Sequence, residues 1–127
     1  MSLIPRLAIG VFLILHGLVY PLLAVIPAPR DDSSKMGEFW TRSLLFGSGP
    51  GVKTLIYVFS IAAAAVLVVA GVSFMAKADW WRIAWIAGAG FGLLTLVVFW
   101  QKDWWIGVLI NLALLAVVLF TRFNPGA

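Results

Sequence analysis

The chain has 127 residues, 63% of them hydrophobic and only 11% charged, with nine Lys and Arg against five Asp and Glu and no Cys. Ordinary soluble domains are about 45–50% apolar and about 25% charged, so this composition excludes a water-coated globular core and implies lipid as the solvent. The missing thiols exclude disulfides, thiolate metal sites, CxxC redox chemistry and a Cys nucleophile. The net charge of +4 is spread as punctuation between apolar runs, which points to membrane orientation and anionic headgroups rather than to nucleic acid.

Four charge-free runs follow one another: Leu7 to Ala28 (22 residues), Thr54 to Ala76 (23), Ile83 to Gln101 (19) and Trp104 to Thr121 (18). A crossing takes roughly 20 residues at 1.5 Å each. The runs therefore predict helices at about 5–27, 53–76, 80–100 and 104–122, an all-α integral membrane four-helix bundle filling 1–127 as a single transmembrane domain. Barrel strands would be shorter and would alternate polar with apolar residues. The first run lacks a small-x-small cleavage pattern near Ala24 to Ala28 and reads as a retained helix ended by Pro27 and Pro29.

Between the first two runs lies the longest polar stretch. Met36, Phe39, Trp40 and Leu44 fall on one helical face and Lys35, Glu38 and Arg42 on the other, predicting a short interfacial helix at about 34–45 capped by Ser33 or Ser34. Phe46 to Gly51 reads as a flexible turn back into the membrane. The Gly47 to Thr54 stretch imitates a phosphate-binding loop, but Val52 stands where that motif needs glycine and no strand precedes it, so no nucleotide is expected.

Lys77-Ala-Asp-Trp-Trp81 is echoed by Gln101-Lys-Asp-Trp-Trp105, with Asp79 and Asp103 24 residues apart. One span separates the copies, which places them at opposite surfaces with each Asp as a helix cap. Trp80, Trp81, Trp85, Trp100, Trp104 and Trp105 then form two aromatic belts. With four spans, Arg6, Lys77, Arg82 and Arg122 share one side against Arg30, Lys35, Arg42, Lys53 and Lys102 on the other. That near balance leans only slightly to both termini in the cytoplasm of a prokaryotic cell membrane.

Few polar side chains interrupt the spans. By helical rise His16 lies about 15 Å and Tyr20 about 21 Å beyond Arg6, Thr95 about 20 Å beyond Arg82, and Asn111 about 16 Å before Arg122. These four share one layer and are expected to converge inside the bundle, either as hydrogen-bonded glue between helices or as the lining of a site for an amphipathic molecule such as a quinone. A six-coordinate haem needs a second His, and zinc or copper needs more ligands than this chain has. With no carboxylate inside a span and no base beside a Ser, catalysis by the chain alone is not expected, and proton-coupled transport would rest on His16. Small residues at Ala84, Gly88 and Gly92, at Ser60 and Ala64, and at Gly107 give smooth faces for close helix approach or for a partner subunit.

The opening Arg6-Leu-Ala-Ile-Gly-Val-Phe-Leu-Ile-Leu-His-Gly17, the longer first loop and the closing Trp105-Ile-Gly-Val-Leu-Ile-Asn-Leu-Ala-Leu-Leu115 resemble the DoxX-like group of small four-helix membrane proteins. The likeness covers the whole layout. It implies a structural or accessory subunit of a membrane complex, with quinone-linked oxidoreductases among the relatives' associations. Relatives carry a second His shortly after the His-Gly pair, where this chain has Tyr20-Pro21. A small oligomeric transporter or channel is the further alternative.

Overall fold

The computed structural model describes residues 1–25, 50–99, 105–121 and 125, and among them the chain is helical with no strand. The elements are α1 (Leu3–Val25), α2 (Pro50–Met75), α3 (Trp81–Val98) and α4 (Trp105–Phe120). The expected interfacial helix at 34–45, the second Trp-Trp copy as far as Trp104, and Arg122 lie outside the described residues. Three helices are long and apolar enough to cross a membrane, over Leu3–Leu22, Thr54–Met75 and Trp81–Val98. The fourth is a shorter apolar helix of 16 residues, about 24 Å by its rise.

Helix ends differ from the sequence expectation for local reasons. Instead of a flexible turn, Pro50 and Gly51 form the first residues of α2, because a proline's fixed φ and missing N–H suit the opening turn of a helix. α1 likewise runs through Pro21 to Val25. At the other end of α2 the Lys77 N–H reaches the Phe74 carbonyl and the Ala78 N–H the Ser73 carbonyl, at 3.2 and 2.9 Å. These paired bonds are a Schellman closure, and they place Lys77 at a φ of 57° where glycine is usual. Asp79 does not cap α3: the capping position is Trp80, which makes no side-chain hydrogen bond there.

Consecutive helices run antiparallel. A Cβ built on Gly71 would stand 2.5 Å from the Gly10 carbonyl oxygen, so α1 and α2 cross almost backbone to backbone. Phe74 near the end of α2 packs on Trp81 and Trp85 at the start of α3, and Leu96 late in α3 meets Gly107 early in α4. Arg82 donates to the Val118 carbonyl, joining the start of α3 to the last turn of α4. α1 packs on α2, α2 on α3 and α3 on α4, whereas α1 and α4 are less closely apposed and close through side chains.

The core holds Leu13, Ile56, Leu67, Phe74, Phe99 and Val118, all nearly or fully enclosed. Trp81 and Trp85 belong to it as well, correcting their assignment to an aromatic belt. Phe74 meets both rings edge-on, at 5.1 and 5.6 Å between centroids, and the Trp85 Nε1–H donates to the Leu114 carbonyl at 2.9 Å. Their neighbour Trp80 is 52% exposed and Trp105 is 53% exposed. Large apolar side chains such as Leu15, Ile61, Ile83 and Phe120 cover the outside, a surface suited to acyl chains and unlike that of a soluble monomer.

Candidate functional site

Asn111 is the hub of the interior polar cluster. It sits on α4 with no exposed surface, and its Nδ2 donates to the Gly107 carbonyl one turn back at 2.9 Å and to the Tyr20 hydroxyl on α1 at 2.6 Å. The Gly107 oxygen can only accept, so the amide is held with nitrogen toward it and oxygen away. That oxygen, Asn111 Oδ1, lies 3.2 Å from His16 Nε2. An amide oxygen cannot donate, so His16 carries its proton on Nε2 and donates it to Asn111.

His16 and Tyr20 reach the same partner because their i, i+4 spacing sets them one above the other on α1. Their rings meet edge-on at 5.6 Å between centroids, and Phe12, four residues earlier, lies parallel to His16 at 6.0 Å. Tyr20 is buried, whereas His16 keeps part of its surface open.

Thr95 does not join this cluster. It is fully buried, and its hydroxyl donates to the Phe91 carbonyl of its own helix at 2.9 Å. Of the four residues expected to converge, the structure brings together His16, Tyr20 and Asn111.

Gly92 is the residue that depth counting does not single out as part of the site. A Cβ there would lie 2.5 Å from the Tyr20 hydroxyl and 3.0 Å from Asn111 Oδ1. Its absence lets α3 back directly onto the polar pair. The sequence signal was present, since Gly92 continues the Ala84 and Gly88 series.

Beside the cluster runs an apolar groove of about 590 Å³ between α1 and α4, walled by Ile9, Phe12, Trp85, Leu114 and Val117 and reaching Met1 and Thr121 at its mouth. Phe12 on α1 and Leu114 on α4, both in its wall, stand about one helical turn along the chain from His16 and Asn111. Phe12 is shared: it walls the groove and stacks on His16. Among the described residues no group of three or more His, Cys, Asp or Glu is placed to hold a metal ion. The chain matches no protein-family model, no curated protein and no solved structure.

Proposed function

We propose that the chain is a four-span, DoxX-like integral membrane protein of a prokaryotic cell membrane, serving as a structural or accessory subunit of a membrane complex. One observation carries this reading. Asn111 spends its oxygen and its nitrogen within the bundle, on His16, Tyr20 and Gly107, so the interior polar groups act first as a clamp between α1 and α4. Such bonds contribute around 0.6 kcal/mol each, up to about 1.7, because the unfolded chain in lipid also finds partners. In this reading α4, a shorter apolar helix of 16 residues, is the fourth span. Gentle purification from native membrane tests the reading: a partner membrane protein at constant stoichiometry supports it, and a lone chain active by itself contradicts it.

A second reading is a quinone-interacting subunit of a membrane oxidoreductase. The groove favours it, being large enough for an apolar ligand and walled by Phe12, whose ring stacks on His16. Since the His16 Nε2–H is committed to Asn111, Tyr20 is left as the hydroxyl donor for a ligand carbonyl. Lipid extraction and mass spectrometry of the purified protein check this: a quinone retained in equimolar amount supports it, and its absence from a native preparation contradicts it.

A further inference from the structure

We infer that the α1–α4 groove holds one acyl chain of an anionic phospholipid, with Arg82 receiving the headgroup phosphate at the groove's surface end. The groove thereby has an occupant other than the quinone of the second reading, and the accessory-subunit reading is left as it stands.

The groove wall suits hydrocarbon and offers nothing to a polar group. Its side-chain hydrogen-bond donors are both committed within the fold, the Trp85 indole N–H to the Leu114 carbonyl and the Thr121 hydroxyl to the Val117 carbonyl. A ligand with a carbonyl or hydroxyl partway along its length would bury that group unmet, whereas a plain alkyl chain loses no hydrogen bond there. The groove also faces the bilayer, since Phe12 and Val117 in its wall are 47% and 39% exposed. From Leu114 to Thr121 it runs along α4 for about 10 Å, inside the roughly 15 Å hydrocarbon depth of one leaflet. Left empty, an apolar space of about 590 Å³ would deprive its lining of dispersion contacts, and the nearest molecule able to restore them is a neighbouring lipid.

Charge at the surface end selects which lipid. Arg82 donates to the carbonyl of Val118, which stands in the chain between the wall residues Val117 and Thr121, and its guanidinium lies 5.0 Å from the Trp81 ring centre. Among the described residues Arg82 has no acidic partner. Its remaining N–H groups form the planar fork that matches a phosphate. Arg6, on α1 between the wall residues Met1 and Ala8, has an enclosed Nε without a partner among the described residues. With Lys77 at the end of α2, this surface carries three cations against the one carboxylate of Asp79. Half-buried cations at the edge of hydrocarbon favour an anion, and a lipid phosphate supplies it with its chain already in the groove. A zwitterionic headgroup brings its own cation to the same place and is disfavoured.

The test is native mass spectrometry of the full chain released from detergent micelles that carry either phosphatidylglycerol or phosphatidylcholine with identical acyl chains. The wild type is expected to retain one phosphatidylglycerol, with half-saturation about tenfold below that of phosphatidylcholine. Arg82→Gln is expected to shrink this preference about fivefold. Ala8→Trp, which fills the groove from an exposed position on the helix away from Arg82, is expected to abolish retention of both lipids. Val117→Trp on the facing wall repeats that block should Ala8→Trp fail to fold. Equal affinity of the wild type for the two lipids overturns the headgroup rule. Undiminished phosphatidylglycerol retention in the two blocked variants places the lipid elsewhere on the surface and overturns the site. Equimolar displacement of the lipid by ubiquinone overturns the occupant and supports the second reading in its place.

Discussion

At the scale of single residues, a pair of glycines on one helix separates contact from propensity. Gly92 faces the Tyr20 hydroxyl at a distance no Cβ can occupy and Asn111 Oδ1 at a tight one, while Gly90 has open space where its side chain would go. Gly92→Ala is expected to lower stability by about 1–3 kcal/mol through overpacking. Gly90→Ala is expected to be neutral or to raise stability by up to about 1 kcal/mol, because alanine gives up less chain entropy in a helix. Reversible unfolding in mixed micelles measures both, and equal effects would mean that α3 does not back onto the polar pair. Asn111→Ala is expected to cost about 1–3 kcal/mol in the same assay, since two bonds to α1 are lost together. His16, Tyr20 and Asn111 were legible in the sequence as polar groups at one depth. Depth is only one coordinate, however. Thr95 shares the level, but its hydroxyl is turned back onto Phe91, and counting residues from a basic flank carries no information about that direction.

At the scale of elements, the turn between α2 and α3 stores a correctable cost. Lys77 holds a left-handed conformation that a side chain disfavours, so Lys77→Gly is expected to stabilise the protein by about 0.5–1 kcal/mol, again read by unfolding in micelles. A loss of stability would show that the Lys77 side chain contributes more than its backbone costs. The next helix is anchored by Arg82, whose guanidinium also lies 5.0 Å from the Trp81 ring centre while it donates to Val118. Arg82→Leu is expected to speed amide exchange in the last turn of α4, around Val118 to Thr121, with little change in α2. Helix existence was readable from charge-free runs, because backbone groups in lipid must be satisfied within each segment. Helix ends were less so: Pro50 could open a helix as easily as break one, and α3 starts one residue later than an Asp79 cap requires, with Trp80 at the capping position. Trp81 and Trp85 look like headgroup anchors in a linear reading. Their four-residue spacing instead turns both onto the face that Phe74 and Leu114 cover.

At the scale of the whole molecule, the helices form an open series rather than a closed ring. α1 to α4 pack in order along the chain, and the α1–α4 seam is bridged by the Asn111 cluster at one level and left as a groove toward Met1 and Thr121. Charge alone could not orient this arrangement, with basic residues split almost evenly between the two sides. The central claim is that four passes through the bilayer bring both described chain ends to one surface, with the start of α2 on the other. A chain without cysteine allows a direct test by single Cys substitution and a membrane-impermeant maleimide applied to sealed vesicles. Ser2→Cys, Asp79→Cys and Thr121→Cys are expected to react from the same side, and Gly51→Cys only from the opposite side. Thr121→Cys reacting together with Gly51→Cys would mean that α4 does not cross, and would contradict the account.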